Sequence, residues 1–163
     1  MALCASHRFC VRMARINKRT TLTTIALLTR IRGNAADVFD RVATLDGIAA
    51  WFTKATSDSY TEGGCITLHF SGEEPVHFEV STIRPHREIV WRCVSDENMW
   101  AGTQIRFTFV QDGTITTVRF DHEGWSEITD IFRDCAMSWT YFMHSLRQLV
   151  ETGKGTPEGG VHD

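Results

Sequence analysis

The 163-residue chain has no apolar run approaching the roughly 18 residues that a membrane-spanning helix needs. Its stretch 25–28 is too short, and too far from the N-terminus, to be the core of a signal peptide. No CxxC pair occurs. The five cysteines, at positions 4, 10, 65, 93 and 135, have no metal-ligand spacing, and an odd count of this kind does not form a disulfide framework. A reducing, cytoplasmic setting is expected, with Cys65, Cys93 and Cys135 as buried, inert thiols. Also missing are a glycine-rich phosphate loop, a nucleophile elbow, an HExxH helix and a catalytic carboxylate pair. No cofactor and no metal are therefore expected, and a binding role is expected ahead of an enzymatic one.

Acidic residues are absent from the first 36 positions, which hold seven basic ones; the rest of the chain holds ten basic and twenty acidic side chains. The body is thus acidic, which disfavours a surface that tracks nucleic-acid phosphates. Residues 1–19 are expected to be a basic arm, disordered or an over-long start ahead of Met13, although their composition also suits a transit peptide. With 42% hydrophobic and 23% charged residues, the remainder suits one domain over 20–154, followed by a flexible tail over 155–163.

What is present is periodicity. A β-branched stretch over 20–32 predicts a first strand, broken by Gly33-Asn34. Asn34 is an N-cap candidate for a helix over 35–43, and a second short helix over 45–52 places Leu45, Ile48, Ala49 and Phe52 on one face. The period then switches to two. Strands are expected over 65–70, 76–83, 87–94, 103–110 and 114–122, with a hairpin at Asp112-Gly113. A long helix is expected to start near Ser126, with Ile128, Phe132, Cys135, Trp139, Phe142, Leu146 and Leu149 in alternating steps of four and three down one face. Gly153 and Pro157 end it. At about 25 residues and 1.5 Å each, only this helix is long enough to cover the apolar face of the sheet. The fold class is therefore α+β: a curved antiparallel sheet of about six or seven strands around a long C-terminal helix, with two short helices after the first strand. Such a sheet leaves a cavity against the helix.

Several local patterns occur in a telling order. They are Asn34-Ala35-Ala36-Asp37-Val38-Phe39, Leu45 through Ala50-Trp51-Phe52, Glu62-Gly63-Gly64 before a strand, Glu79-Val80 and Pro85. After these come Thr116 to Phe120, His122-Glu123-Gly124-Trp125, Cys135 with Ser138-Trp139, Leu146, and Glu151-Thr152-Gly153-Lys154-Gly155-Thr156-Pro157. In this order the chain resembles the START-like (SRPBCC, helix-grip) superfamily and, within it, homologues of the activator of heat-shock-protein-90 ATPase. The resemblance spans about residues 22–157. It implies the helix-grip fold and a role among those of the superfamily: binding lipids or other hydrophobic ligands, cyclising polyketides, or acting as a co-chaperone. The co-chaperone carries an additional N-terminal domain, which residues 1–19 are too short to supply.

The sheet face holding Ile66, Leu68, Phe78, Val80, Ile89, Trp91, Ile105, Phe107, Phe109, Val118 and Phe120 is expected to meet the helix, mostly as ordinary core. A ligand-lining subset is expected from Trp51, Phe78, Trp91, Phe107, Phe109, Phe120, His122, Trp125, Trp139 and Phe142, because aromatic rings offer broad contact area and indoles an N–H at the edge. His122 with Glu123, where the last strand hands over to the helix, is the one candidate acid–base pair; the alternative is a histidine bonded to backbone at the helix entry. Glu79 is expected to face solvent. His69 and His77 would lie opposite each other if Phe70 pairs with Val76, but two imidazoles lack the third ligand that a catalytic zinc needs. The expected partner is a small hydrophobic or aromatic molecule, with no nucleic acid, no membrane span, and a monomer or homodimer. A cyclase- or hydrolase-like enzyme and a co-chaperone-like interaction module are the alternatives.

Overall fold

The computed structural model describes residues 22–158. In chain order the elements are β1 (Thr23–Arg32), α1 (Ala35–Ala43), α2 (Leu45–Trp51), β2 (Lys54–Thr56), β3 (Cys65–His69), β4 (Val76–Arg84), β5 (Glu88–Cys93), β6 (Gln104–Asp112), β7 (Ile115–Trp125) and α3 (Asp130–Thr152). One seven-stranded antiparallel sheet runs in the order β1-β7-β6-β5-β4-β3-β2. This is the expected helix-grip arrangement. The basic arm at 1–19, with Cys4 and Cys10, and the end of the tail at 159–163 lie outside the described residues.

Local chemistry sets the helix starts. The Asn34 side chain accepts from the Asp37 N–H at 2.8 Å, and the Thr44 hydroxyl accepts from the Gly47 N–H at 3.1 Å, so each short helix has one of its free first-turn donors satisfied. α3 starts later than expected. Thr129, not Ser126, is its cap, accepting from the Phe132 N–H at 3.2 Å. The reason lies in β7, which runs on to Trp125 through Gly124 at φ 95°. A Cβ at Gly124 would stand 2.9 Å from the Gly102 carbonyl oxygen, so this close approach requires glycine. Ile128, placed by periodicity on the buried stripe, consequently falls outside the helix and is exposed.

All eleven residues expected on the inner sheet face are buried. α3 crosses that face, and Trp139 meets Phe120 with ring centroids 4.4 Å apart. Truncating either ring to alanine costs about 3–5 kcal/mol by loss of apolar contact and the void left behind. Among the described residues no helix is long and apolar enough to cross a membrane.

Three further expectations need correction. β2 is a short edge strand that periodicity does not reveal, pairing Ala55 with Leu68. The β3–β4 connection is longer than a tight hairpin: Leu68, not Phe70, pairs with Val76, and Thr67 pairs with His77. His69 therefore does not face His77. Its Nε2 meets the Thr56 hydroxyl at 2.9 Å, while His77 Nδ1 meets that of Thr67 at 2.9 Å. Finally, residues 155–158, expected as part of a flexible tail, are docked. The Thr156 N–H donates to the Ser145 hydroxyl at 2.7 Å, the Glu158 N–H to the Phe52 carbonyl at 2.6 Å, and the Ser71 N–H to the Glu158 carboxylate at 2.9 Å.

Candidate functional site

One face of α3 carries Ile131, Asp134, Cys135, Ser138, Trp139 and Phe142, the edge of the buried stripe at Cys135, Trp139 and Phe142 together with the exposed positions next to it. Opposite stand Phe52 at the end of α2, Phe70, Glu73 and Val76 from the β3–β4 connection, Asn98, Met99 and Trp100 from the β5–β6 loop, and Glu158. Between them lies a pocket of about 350 Å³, in the size range of small-molecule sites.

Its walls are aromatic and interlocked. Phe52 packs on Trp139 at 4.7 Å and on Phe142 at 4.8 Å between ring centroids, and Phe70 meets Phe52 and Trp100 edge-on at 5.6 and 5.7 Å. Trp100 and Trp139 lie 28° from parallel with centroids 6.0 Å apart. The loop holds Trp100 by a local turn, in which the Asn98 side chain accepts from the Trp100 N–H at 2.9 Å. The indole N–H of Trp100 then donates to Cys135 Sγ at 3.3 Å. Burial pushes the Cys135 thiol up; the Trp100 donation opposes this, and the charges of Asp134 and Glu73 add to it. The thiol therefore stays protonated near neutral pH.

Behind the pocket wall sits His122. It is fully buried and absent from the lining. Trp139 Nε1–H donates to its Nδ1 at 3.1 Å, which leaves Nε2 as the protonated nitrogen and donor to the Thr103 hydroxyl at 2.9 Å. Thr103 in turn donates to the Trp100 carbonyl at 2.6 Å. Burial lowers the His122 pKa from 6.5 to about 3, so the ring is neutral at physiological pH.

The expected His122–Glu123 pair does not form. Adjacent strand residues point to opposite faces, so Glu123 lies on the outer face, where Gln104 donates to it at 2.5 Å and Arg106 at 3.2 Å. Nor does His122 bond to backbone at the helix entry; its partners are side chains. Glu79 also lies on the outer face, bonded to Arg92 at 2.5 Å.

Of the ten expected lining residues, Trp139 and Phe142 face the pocket. Phe78, Phe107, Phe109 and Phe120 are closed core. Trp51 donates to the Arg41 carbonyl at 2.9 Å and locks α2 onto α1, while Trp91 donates to the Tyr60 hydroxyl at 3.1 Å. Trp125 packs between His122 and Phe132 outside the lining, with its buried N–H unpartnered among the described residues. Periodicity placed Phe52 on a short helix and Phe70 at the end of a strand but did not assign them, or Trp100, to the pocket, because all three sit in turns or at a helix end. A tryptophan in the mostly polar loop segment 95–102 is the signal that could have singled out Trp100. Cys65, expected to be buried, is exposed; Cys93 and Cys135 are buried, and all three are free.

Residues 32–151 match the family model described as activator of Hsp90 ATPase homolog 1-like protein. The solved Aha1 dimer from Colwellia psychrerythraea superposes with a TM-score of 0.74 at 27% identity, covering 82% of this chain and 99% of that one. DynU16, from the dynemicin biosynthetic locus, superposes at 0.70 and 18% identity over 81% of this chain and 48% of its own. CalU16 from Micromonospora echinospora does so at 0.66 and 17% over 78% and 73%. The last two likenesses concern the fold alone. No curated protein matches the chain.

Proposed function

The chain belongs to the activator of Hsp90 ATPase homolog 1-like family, and from that premise we propose that it binds a small apolar or aromatic molecule in the pocket between α3 and the loops over it. The observation that carries this reading is the 350 Å³ space walled by Phe52, Phe70, Trp100, Trp139 and Phe142. Closed cores approach crystal-like packing and leave few voids larger than a water, so an aromatic hollow of this size is suited to a guest. His122 acts here as a structural post: it orients Trp139 and, through Thr103, the Trp100 loop. Chemistry centred on its imidazole has no support in this geometry, because both ring nitrogens are engaged behind the wall. The three free thiols suit the reducing cytoplasm proposed as its compartment.

Titration with a hydrophobic probe, read through intrinsic tryptophan fluorescence, tests the reading. Saturable quenching or enhancement is expected in the parent protein and is lost in Ser138→Trp, which fills the pocket from an exposed helix position. A response unchanged by Ser138→Trp sinks the assignment to this pocket.

A further inference from the structure

The charged side chains lining the pocket are all of one sign. Glu73, Asp134 and Glu158 are carboxylates, and no lysine, arginine or histidine joins them. Glu158 is occupied by the Ser71 N–H and the Thr53 hydroxyl. Glu73 and Asp134 make no ion pair among the described residues. Their field is felt inside the pocket, since both charges help to hold the Cys135 thiol in its protonated form. Five of the remaining lining residues are rings, whose indole and phenyl faces attract a cation through their quadrupole and repel an anion; Asn98 and Ser138 supply only neutral polar groups.

A site built for a fatty acid or another apolar anion places a base at its mouth to compensate the ligand charge. This site places two uncompensated acids there instead. We propose that the pocket selects a ligand consisting of an apolar or aromatic body with a protonated amine, the body lying among Trp100, Trp139 and Phe142 and the ammonium facing Glu73 and Asp134. This rests on the reading of the pocket as a binding site and assigns its ligand class.

Three probes that share one skeleton and differ only in charge provide the test: 4-phenylbutylamine, 4-phenylbutan-1-ol and 4-phenylbutanoate, titrated against the full chain and followed by calorimetry and by the indole N–H resonances of Trp100 and Trp139. The amine is expected to bind about five-fold or more tightly than the alcohol, and the carboxylate more weakly than either. The amine's advantage should shrink as salt screens it. In the double variant Glu73→Gln/Asp134→Asn, whose positions are both exposed, the amine's advantage over the alcohol should fall at least several-fold, to the part that the ring faces supply. An alcohol or carboxylate that equals or exceeds the amine overturns the charge preference while leaving the pocket reading standing. An amine preference that is undiminished in the double variant overturns the role of these two carboxylates. If none of the three probes binds, the pocket reading falls and the ligand class with it.

Discussion

Trp139 and His122 are joined by an indole N–H that donates 3.1 Å to the imidazole Nδ1, and that one bond ties the gripped helix to the last strand of the sheet. It also selects the tautomer that lets Nε2–H hold Thr103, and through Thr103 the carbonyl of Trp100. Two tryptophans of the pocket wall are thus set by a residue outside the pocket lining. Buried polar chains of this kind are costly when broken and specify a single arrangement when complete.

The neutral state of His122 makes stability depend on pH. The unfolded imidazole titrates near 6.5 and the folded one near 3, so between these values the unfolded chain takes up a proton that the folded chain refuses. The contribution is fully present above pH 6.5 and is lost as the pH falls toward 3, at up to about 1.4 kcal/mol per pH unit. Denaturant unfolding of the parent and His122→Asn across pH 4–8 checks this: the difference between the two curves should narrow below pH 6.5 and stay constant above it. Parallel curves throughout contradict the assignment.

Thr103→Val keeps the shape but leaves the His122 Nε2–H without its acceptor and the Trp100 carbonyl without this donor. Because the site is fully enclosed, a loss of about 1–3 kcal/mol in unfolding free energy is expected. The Trp100 indole resonance should broaden or shift, since the loop that carries it loses its side-chain tie to His122 and keeps only the Thr103 backbone N–H on the Trp100 carbonyl. An unshifted resonance with unchanged stability would show that the chain of bonds is not formed in solution.

Glu158 clasps the docked segment 155–158 to the β3–β4 turn through Ser71 and to Thr53. Glu158→Ala is expected to cost about 1 kcal/mol or less, because the group is partly exposed. Limited proteolysis should then release the C-terminal residues sooner than in the parent. Equal cleavage rates would mean that the Ser145–Thr156 bond and the Glu158 N–H on the Phe52 carbonyl suffice to hold the segment.

Much of the fold was legible because its signals are local. The 4–3 spacing from Phe132 to Leu149, the alternation in each of the five expected strands after the short helices, and the Asn34 cap each depend on neighbours within a few residues. The helix start was misread for the opposite reason. Whether Ser126 or Thr129 caps α3 depends on how far β7 stays paired, and that is decided across the sheet by β1, β6 and the approach of Gly124 to Gly102. The same distinction separates Glu123 from His122: alternation alone puts them on opposite faces once the strand is known to continue past them.

The amino-acid sequence by itself determined every element but the short edge strand β2, their order and which face of each is apolar, because periodicity and capping are properties of short segments. Only the tertiary structure decided which aromatic rings line the pocket and which are sealed in the core. Burial is common to both sets. What distinguishes them is whether a loop, a turn or the last docked residues fail to close over them, and that is a matter of long-range packing. Trp91 and Trp139 read alike in sequence; Tyr60 closes over the first, while the second is left beside a hollow rimmed by Glu73 and Asp134.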